Sequence, residues 1–191
     1  MSLQNYPAVR LIRGSGTDEC GACTTPSITC AAIKKELTGS EQSATLGKLV
    51  CIGSGSFDMG SPASEAGRGS NEQQHRVELT QGFCVMETEV TQGMYASVMG
   101  SNPSSFTGDD QRPVETVSWE DAIVFCNTLS GLLGLIPVYQ GTDNNATMNE
   151  SANGFRLPFE SEWEWAARGG QNFTYAGSDN LGDVGWYDGN S

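Results

Sequence analysis

Basic residues are scarce in this chain. Ten Lys and Arg stand against 23 Asp and Glu, for a net charge of −13 at pH 7. That charge repels phosphate backbones and acidic membranes, which argues against nucleic-acid and membrane roles. Long apolar runs are missing as well, and no window approaches the ~18 apolar residues of a transmembrane helix. The opening MSLQNYPAVRLIRG has no long apolar core, so no secretory signal is read there. His75 is the sole histidine, so neither a His-rich metal site nor a Cys-His-Asp triad can be assembled.

What is present is glycine and cysteine. The 191 residues suffice for one ordinary core, or one domain plus a tail, and 24 glycines with 37% hydrophobic residues fit a loop-rich fold. Six cysteines, Cys20, Cys23, Cys30, Cys51, Cys84 and Cys126, permit three disulfides, and spacing does not decide their pairing. Cys20, Cys23 and Cys30 lack the paired spacing of a zinc ribbon, although Cys51 could supply a fourth ligand. Disulfides or free thiols are the preferred reading. Six cysteines favour an extracytoplasmic compartment; the compartment is otherwise unassigned.

Residues 1–45 read as a Cys-containing N-terminal extension, with a helix from about Thr29 to Leu37. Residues 46–191 read as the main domain. LVCIGSGSFDMG is a strand and turn, and RVELTQGFCVM alternates as strand with Val77 and Leu79 on one face. Glu87 and Glu89 are placed on that strand's continuation. Thr91 caps a short helix with Met94, Tyr95, Val98 and Met99 as its apolar stripe. Ser118 opens the clearest helix, with Asp121 completing a capping box and Ala122, Phe125, Cys126, Leu129 and Leu133 at helical spacing. Cys84 and Cys126 read as small core residues, and a Cys84–Cys126 bridge is an open alternative.

The densest stretch is GFRLPFESEWEWAARGG, Gly154 to Gly170. Pro158 holds Leu157 extended, so a helix cannot start earlier. Glu160 and Glu162 complement the helix dipole at its start, Arg168 at its end, and Gly169 is placed as the C′ residue. Trp163, Ala166 and Ala167 are predicted to share one face and Trp165 to point in another direction, so both faces of the helix are expected to touch protein. The acidic pairs have ordinary explanations in solvation and dipole complementarity, not in glycosidase-type chemistry, which needs two carboxyls across a cleft.

These blocks resemble the sulfatase-modifying factor, or formylglycine-generating enzyme, family. Its pattern is of the type MG…E…H.V.L…EVT…Y…PV..VSW.DA…C..LS…RLPTEAEWE.AARGG. The chain has Met59-Gly60, Glu72, His75, Val77 and Leu79, then Glu89-Val90-Thr91, Tyr95, Pro113-Val114 and Val117-Ser118-Trp119. Asp121-Ala122 and Cys126 follow, and Arg156-Leu157-Pro158 leads into the helix. Several blocks in the right order make chance agreement negligible. One departure is Phe159, where the family has a Thr that would cap the helix.

The resemblance implies an α+β, C-type-lectin-like fold with little regular secondary structure, incomplete at its C-terminal side. It implies oxygen-dependent oxidation of a client cysteine at a copper(I) site made by two late cysteines, a soft pair suited to a soft ion. The chain stops at Ser191, before the region that carries them. No catalytic or cofactor residue is therefore assigned, and copper belongs to a chain with that second half. The resemblance also implies calcium sites in the later loops. Asn190 is the metal candidate by family position, in a tail that also offers Asp179, Asp183 and Asp188. His75 belongs to a strand entry in the family pattern.

Two functions follow. One is a sulfatase-modifying-factor-like domain that is inactive as an oxidase over these 191 residues. The other is a non-catalytic, lectin-like module that binds a protein client or a sugar ligand. Asn145, Asn149 and Asn172 open Asn-x-Ser/Thr triplets, which chance supplies readily in such a chain; the triplets alone assign nothing.

Overall fold

The computed structural model describes residues 10–11 and 49–185. Elements named here are β1 (Arg10–Leu11), β2 (Leu49–Ile52), β3 (Gly55–Met59), β4 (His75–Leu79), β5 (Phe83–Met86), β6 (Tyr139–Gln140) and β7 (Thr147–Met148). The helices are α1 (Gln92–Met99), α2 (Trp119–Leu132), α3 (Glu160–Arg168) and α4 (Leu181–Val184). The expected helix at 29–37, the boundary near residue 45, and Cys20, Cys23, Cys30, Asp188 and Asn190 lie outside the described residues. Two compact units divide the chain: 1–53 with 82–157, and 54–81 with 158–191.

In the first unit, antiparallel β5 lies between β1 and β2. Its register pairs Val50 with Val85 and Cys51 with Cys84. Thr91 caps α1 as expected, its side chain accepting the Met94 N–H at 3.2 Å. Met94 and Tyr95 are buried, with Val98 and Met99 packed against the same core. Ser118 and Asp121 form the reciprocal capping box of α2. Ala122, Phe125, Cys126, Leu129 and Leu133 are buried as their spacing predicts, together with Ile123. Tyr95 stacks on Phe125 with ring centroids 5.3 Å apart. Phe155, Val114 and Val138 complete this core.

Glu87 and Glu89 are not on a strand, which corrects the expectation: β5 ends at Met86 and a bend follows. Val90 is instead turned into the core, and its carbonyl accepts the Val114 N–H at 2.9 Å.

The second unit pairs β3 with β4 in an antiparallel ladder, Phe57 opposite Val77 and Met59 opposite His75. Phe57 and Met59 are buried and alternate with exposed Ser56 and Asp58, the period of a half-buried strand. α3 spans Glu160–Arg168 and ends at left-handed Gly169, as predicted. Its packed aromatic residue is Trp165, whose ring lies 5.1 Å from that of Phe57. A Cβ on Gly55 would stand 2.8 Å from the Trp165 ring, so the strand carries glycine where the indole crosses it. Trp163 is 44% exposed, and the expectation of a packed Trp163 face is corrected. The reason is rotational: residues two apart on a helix face different ways, and Phe57 takes Trp165.

Candidate functional site

Among the described residues, a densely hydrogen-bonded surface segment runs from Ser101 to Thr116. Its anchor is Gln92, a buried amide on α1. Gln92 Nε2 donates to the carbonyls of Phe106 (3.1 Å) and Pro113 (3.3 Å), and its Oε1 accepts from Asn102 at 2.9 Å. Arg112 Nη1 donates to the carbonyls of Phe106 and Thr107. The Phe106 N–H donates to Glu115 Oε1 at 2.8 Å, and the Thr116 hydroxyl donates to Glu115 Oε2 at 2.5 Å. The Thr116 hydroxyl first, and the Phe106 N–H next, hold the Glu115 carboxyl below its ordinary range. Thr116 itself sits at φ 61°, a strained conformation for a β-branched residue. Both peptide groups of Phe106 are thus bonded while its ring is 73% exposed.

A second cluster is buried behind α2. Asn127 Nδ2 donates to the Tyr139 carbonyl at 2.8 Å, and its Oδ1 accepts the Tyr139 N–H at 3.0 Å. The Tyr139 hydroxyl accepts the Leu157 N–H at 3.0 Å. Burial pushes the Cys126 thiol up to about 12, and burial followed by the Cys126 charge does the same to the Tyr139 phenol. A thiol so placed is protonated and enclosed at neutral pH, the opposite of an activated nucleophile. In the second unit, Glu164 Oε1 accepts from the Gly60 N–H at 2.8 Å and from Arg168. Arg168 also donates to the Gly60 carbonyl at 2.8 Å. These groups lock strand β3 to α3 and spend their charge on each other.

The sequence-predicted residues distribute as follows. Cys51 is bonded to Cys84, and Cys126 is a buried free thiol. The alternative of a Cys84–Cys126 bridge is corrected: β2 and β5 pair in a register that sets Cys51 opposite Cys84. For the same reason Cys51 is not a free fourth ligand for zinc. His75 opens β4 at an exposed position, its Nδ1 2.9 Å from the Gln73 carbonyl. Glu162 bonds back to the Phe159 N–H at 2.8 Å, which accounts for its place in α3. Asp179 Oδ1 accepts from the Thr174 N–H and hydroxyl, and Asp183 accepts from Ser178 and Asn180. No cluster of three or more His, Cys, Asp or Glu able to hold a metal occurs among the described residues. Nor do the described cysteines fit copper(I), which wants a thiolate pair: two are joined to each other and the third is enclosed.

Gln92 and Ser130, central to this framework, were not singled out from sequence. Their signal was there. Gln92 stands three before Tyr95 and seven before Met99, and Ser130 four after Cys126, so each is a polar residue inside an apolar stripe. Ser130 Oγ donates to the Cys126 carbonyl and accepts the Phe155 N–H.

The sulfatase-modifying factor enzyme 1-like domain model matches residues 34–191. The chain belongs to this family. Among curated proteins it is similar to Chaperone protein LppX of Paenibacillus barcinonensis, 46% identical over 123 residues, covering 55% of this chain and 44% of that protein. Among solved structures it resembles variable protein 1 of Treponema denticola, with TM-score 0.67 and 33% identity over 74% of this chain and 61% of that one. CarF follows, with TM-score 0.55 and 25% identity over 76% of this chain and 69% of that one. PvdO from Pseudomonas aeruginosa, at 22% identity and TM-score 0.53 over 78% of this chain and 55% of that one, shares the fold. The chain therefore spans less than half the length of LppX. The sulfatase-modifying-factor fold, with short strands, small helices and long ordered loops, is the fold seen here.

Proposed function

We propose that residues 1–191 act as the binding scaffold of a formylglycine-generating-enzyme-like protein, holding a polypeptide client without oxidising it. One observation carries this reading: a loop bonded through its backbone to Gln92, Arg112 and Glu115 presents the Phe106 ring to solvent. An aromatic anchor whose backbone is already ordered loses little entropy on binding. The described thiols, one enclosed and two bonded together, offer no thiolate pair for cysteine oxidation. The chaperone name of the LppX relative favours a polypeptide over a sugar as ligand.

The test uses the purified 191-residue chain, copper(I) and a cysteine-containing sulfatase peptide. Binding by fluorescence anisotropy without conversion to formylglycine is expected, and Phe106→Ala should weaken it about tenfold. Turnover of the peptide overturns the non-catalytic reading. Failure to bind it, or binding of free oligosaccharides in its place, overturns the polypeptide reading.

A further inference from the structure

The three Asn-x-Ser/Thr triplets differ in what the fold leaves free. Transfer of a glycan to asparagine needs a carboxamide free to reorient towards the transferase. It also needs a hydroxyl two residues on that can bond to the transferase. At Asn149 the first condition fails. Its Oδ1 accepts the Ser151 N–H at 3.1 Å, closing a turn across the triplet itself. At Asn172 the second fails, because Thr174 donates through both hydroxyl (3.1 Å) and N–H (2.9 Å) to Asp179 Oδ1.

Asn145 meets both conditions. Neither its carboxamide nor the Thr147 hydroxyl is hydrogen-bonded among the described residues, and both residues are exposed. The local fold explains why. The chain reverses between β6 and β7 around Asp143, whose Oδ1 accepts the Asn145 N–H at 2.9 Å and whose carbonyl accepts the Ala146 N–H at 2.9 Å. Ala146 packs against the core, so Asn145 and Thr147 on either side of it point outward. The ladder beneath has only two residue pairs, Tyr139–Met148 and Gln140–Thr147. The Cys51–Cys84 bridge supplies an independent indication, since such bridges form in the oxidising compartments where lipid-linked glycans are transferred.

We propose that Asn145 is an N-glycosylation acceptor. The donor is a polyprenyl-diphosphate-linked oligosaccharide. A bond forms between Asn145 Nδ2 and the sugar C1 while the C1–O bond to diphosphate breaks. The diphosphate leaves with the electron pair, and Nδ2 gives one proton to a carboxylate base of the transferase.

The folded, disulfide-intact 191-residue chain is incubated with a purified single-subunit oligosaccharyltransferase and that donor. Intact mass and peptide mapping follow. One glycan is expected, at Asn145. Asn145→Gln and Thr147→Ala should abolish it, Asn149→Gln should keep it, and far-UV circular dichroism should show each variant folded. Asp179→Ala, which releases the Thr174 hydroxyl, should add a second glycan at Asn172. If an unstructured acceptor peptide is glycosylated while the folded chain keeps its mass, the assignment is wrong. It is equally wrong if Asn149 or Asn172 is modified in place of Asn145.

Discussion

Ser130 and Phe155, 25 residues apart, are joined by a 2.8 Å hydrogen bond from the Phe155 N–H to the buried Ser130 hydroxyl. The same hydroxyl donates to the Cys126 carbonyl at 2.7 Å, so it satisfies a donor and an acceptor inside the core. Ser130→Ala leaves the Phe155 N–H buried without this partner, at a cost of about 1–3 kcal/mol. Gly154 belongs to the same contact: a Cβ there would lie 2.5 Å from both Ser130 Oγ and the Ile136 carbonyl. Gly154→Ala should destabilise at least as much, by about 1–3 kcal/mol for overpacking. Urea denaturation of both variants checks this, and a midpoint within error of the parent for either refutes it.

The start of α3 is incompletely capped. Phe159 occupies the N-cap with no side-chain hydrogen bond, and only Glu162 contributes its half of the box. Phe159 is half exposed, so its removal gives up only part of the burial an enclosed ring would have. Phe159→Thr should stabilise by about 1 kcal/mol and raise Tm by about 2–4 °C. Calorimetry showing an unchanged or lower Tm would refute the cap assignment.

Stability should fall at alkaline pH through two neighbours. Cys126 and Tyr139 ordinarily ionise at 9.0 and 10.0, and in the fold both are raised to about 12. Below the ordinary values both groups are protonated whether the chain is folded or not, and their contribution is complete. Between about 9 and 12 the unfolded chain releases protons that the native state retains, so stability declines as pH rises towards the folded values. Denaturant midpoints measured from about pH 8 to 11 should show this slope. Cys126→Ala should flatten its lower part. Rapid alkylation of native Cys126 at neutral pH would contradict the burial on which the argument rests.

Glu164 and Arg168 are each about one-fifth exposed and share Gly60, one through its N–H and the other through its carbonyl. Glu164→Ala strands a backbone donor and a cation together, and should cost about 1–3 kcal/mol. Arg168→Lys keeps a charge but loses the fork that reaches both partners, and should cost about 1 kcal/mol. Equal midpoints for the two variants, or the reverse order, would show that the backbone contact to Gly60 contributes little.

The candidate site was less legible than the framework. The 101–116 stretch is rich in turn residues and reads as a loop, which it is. That its backbone closes on a buried Gln92, and that Phe106 is left outside, depends on the Gln92 side chain meeting backbone carbonyls 14 and 21 residues away. Asn145 reads the same as Asn149 and Asn172 from the triplet alone. Only the partners of Ser151 and Thr174 separate them.

Helix ends were determined by the sequence itself. Thr91, Ser118 with Asp121, and Gly169 act within one turn of their own positions, so their chemistry is local and can be read locally. The ordered blocks from Met59-Gly60 to the Trp163–Trp165 helix likewise carried the family and its fold. Tertiary structure decided what depends on partners distant in the chain. The run LVCIGSGSFDMG reads as one strand and turn, yet β2 pairs with β5 and β3 with β4. That pairing, not cysteine spacing, joins Cys51 to Cys84. For Trp163 and Trp165, helical periodicity guarantees different directions but not that both meet protein; the Phe57 ring on β3 packs Trp165, while Trp163 stays largely exposed.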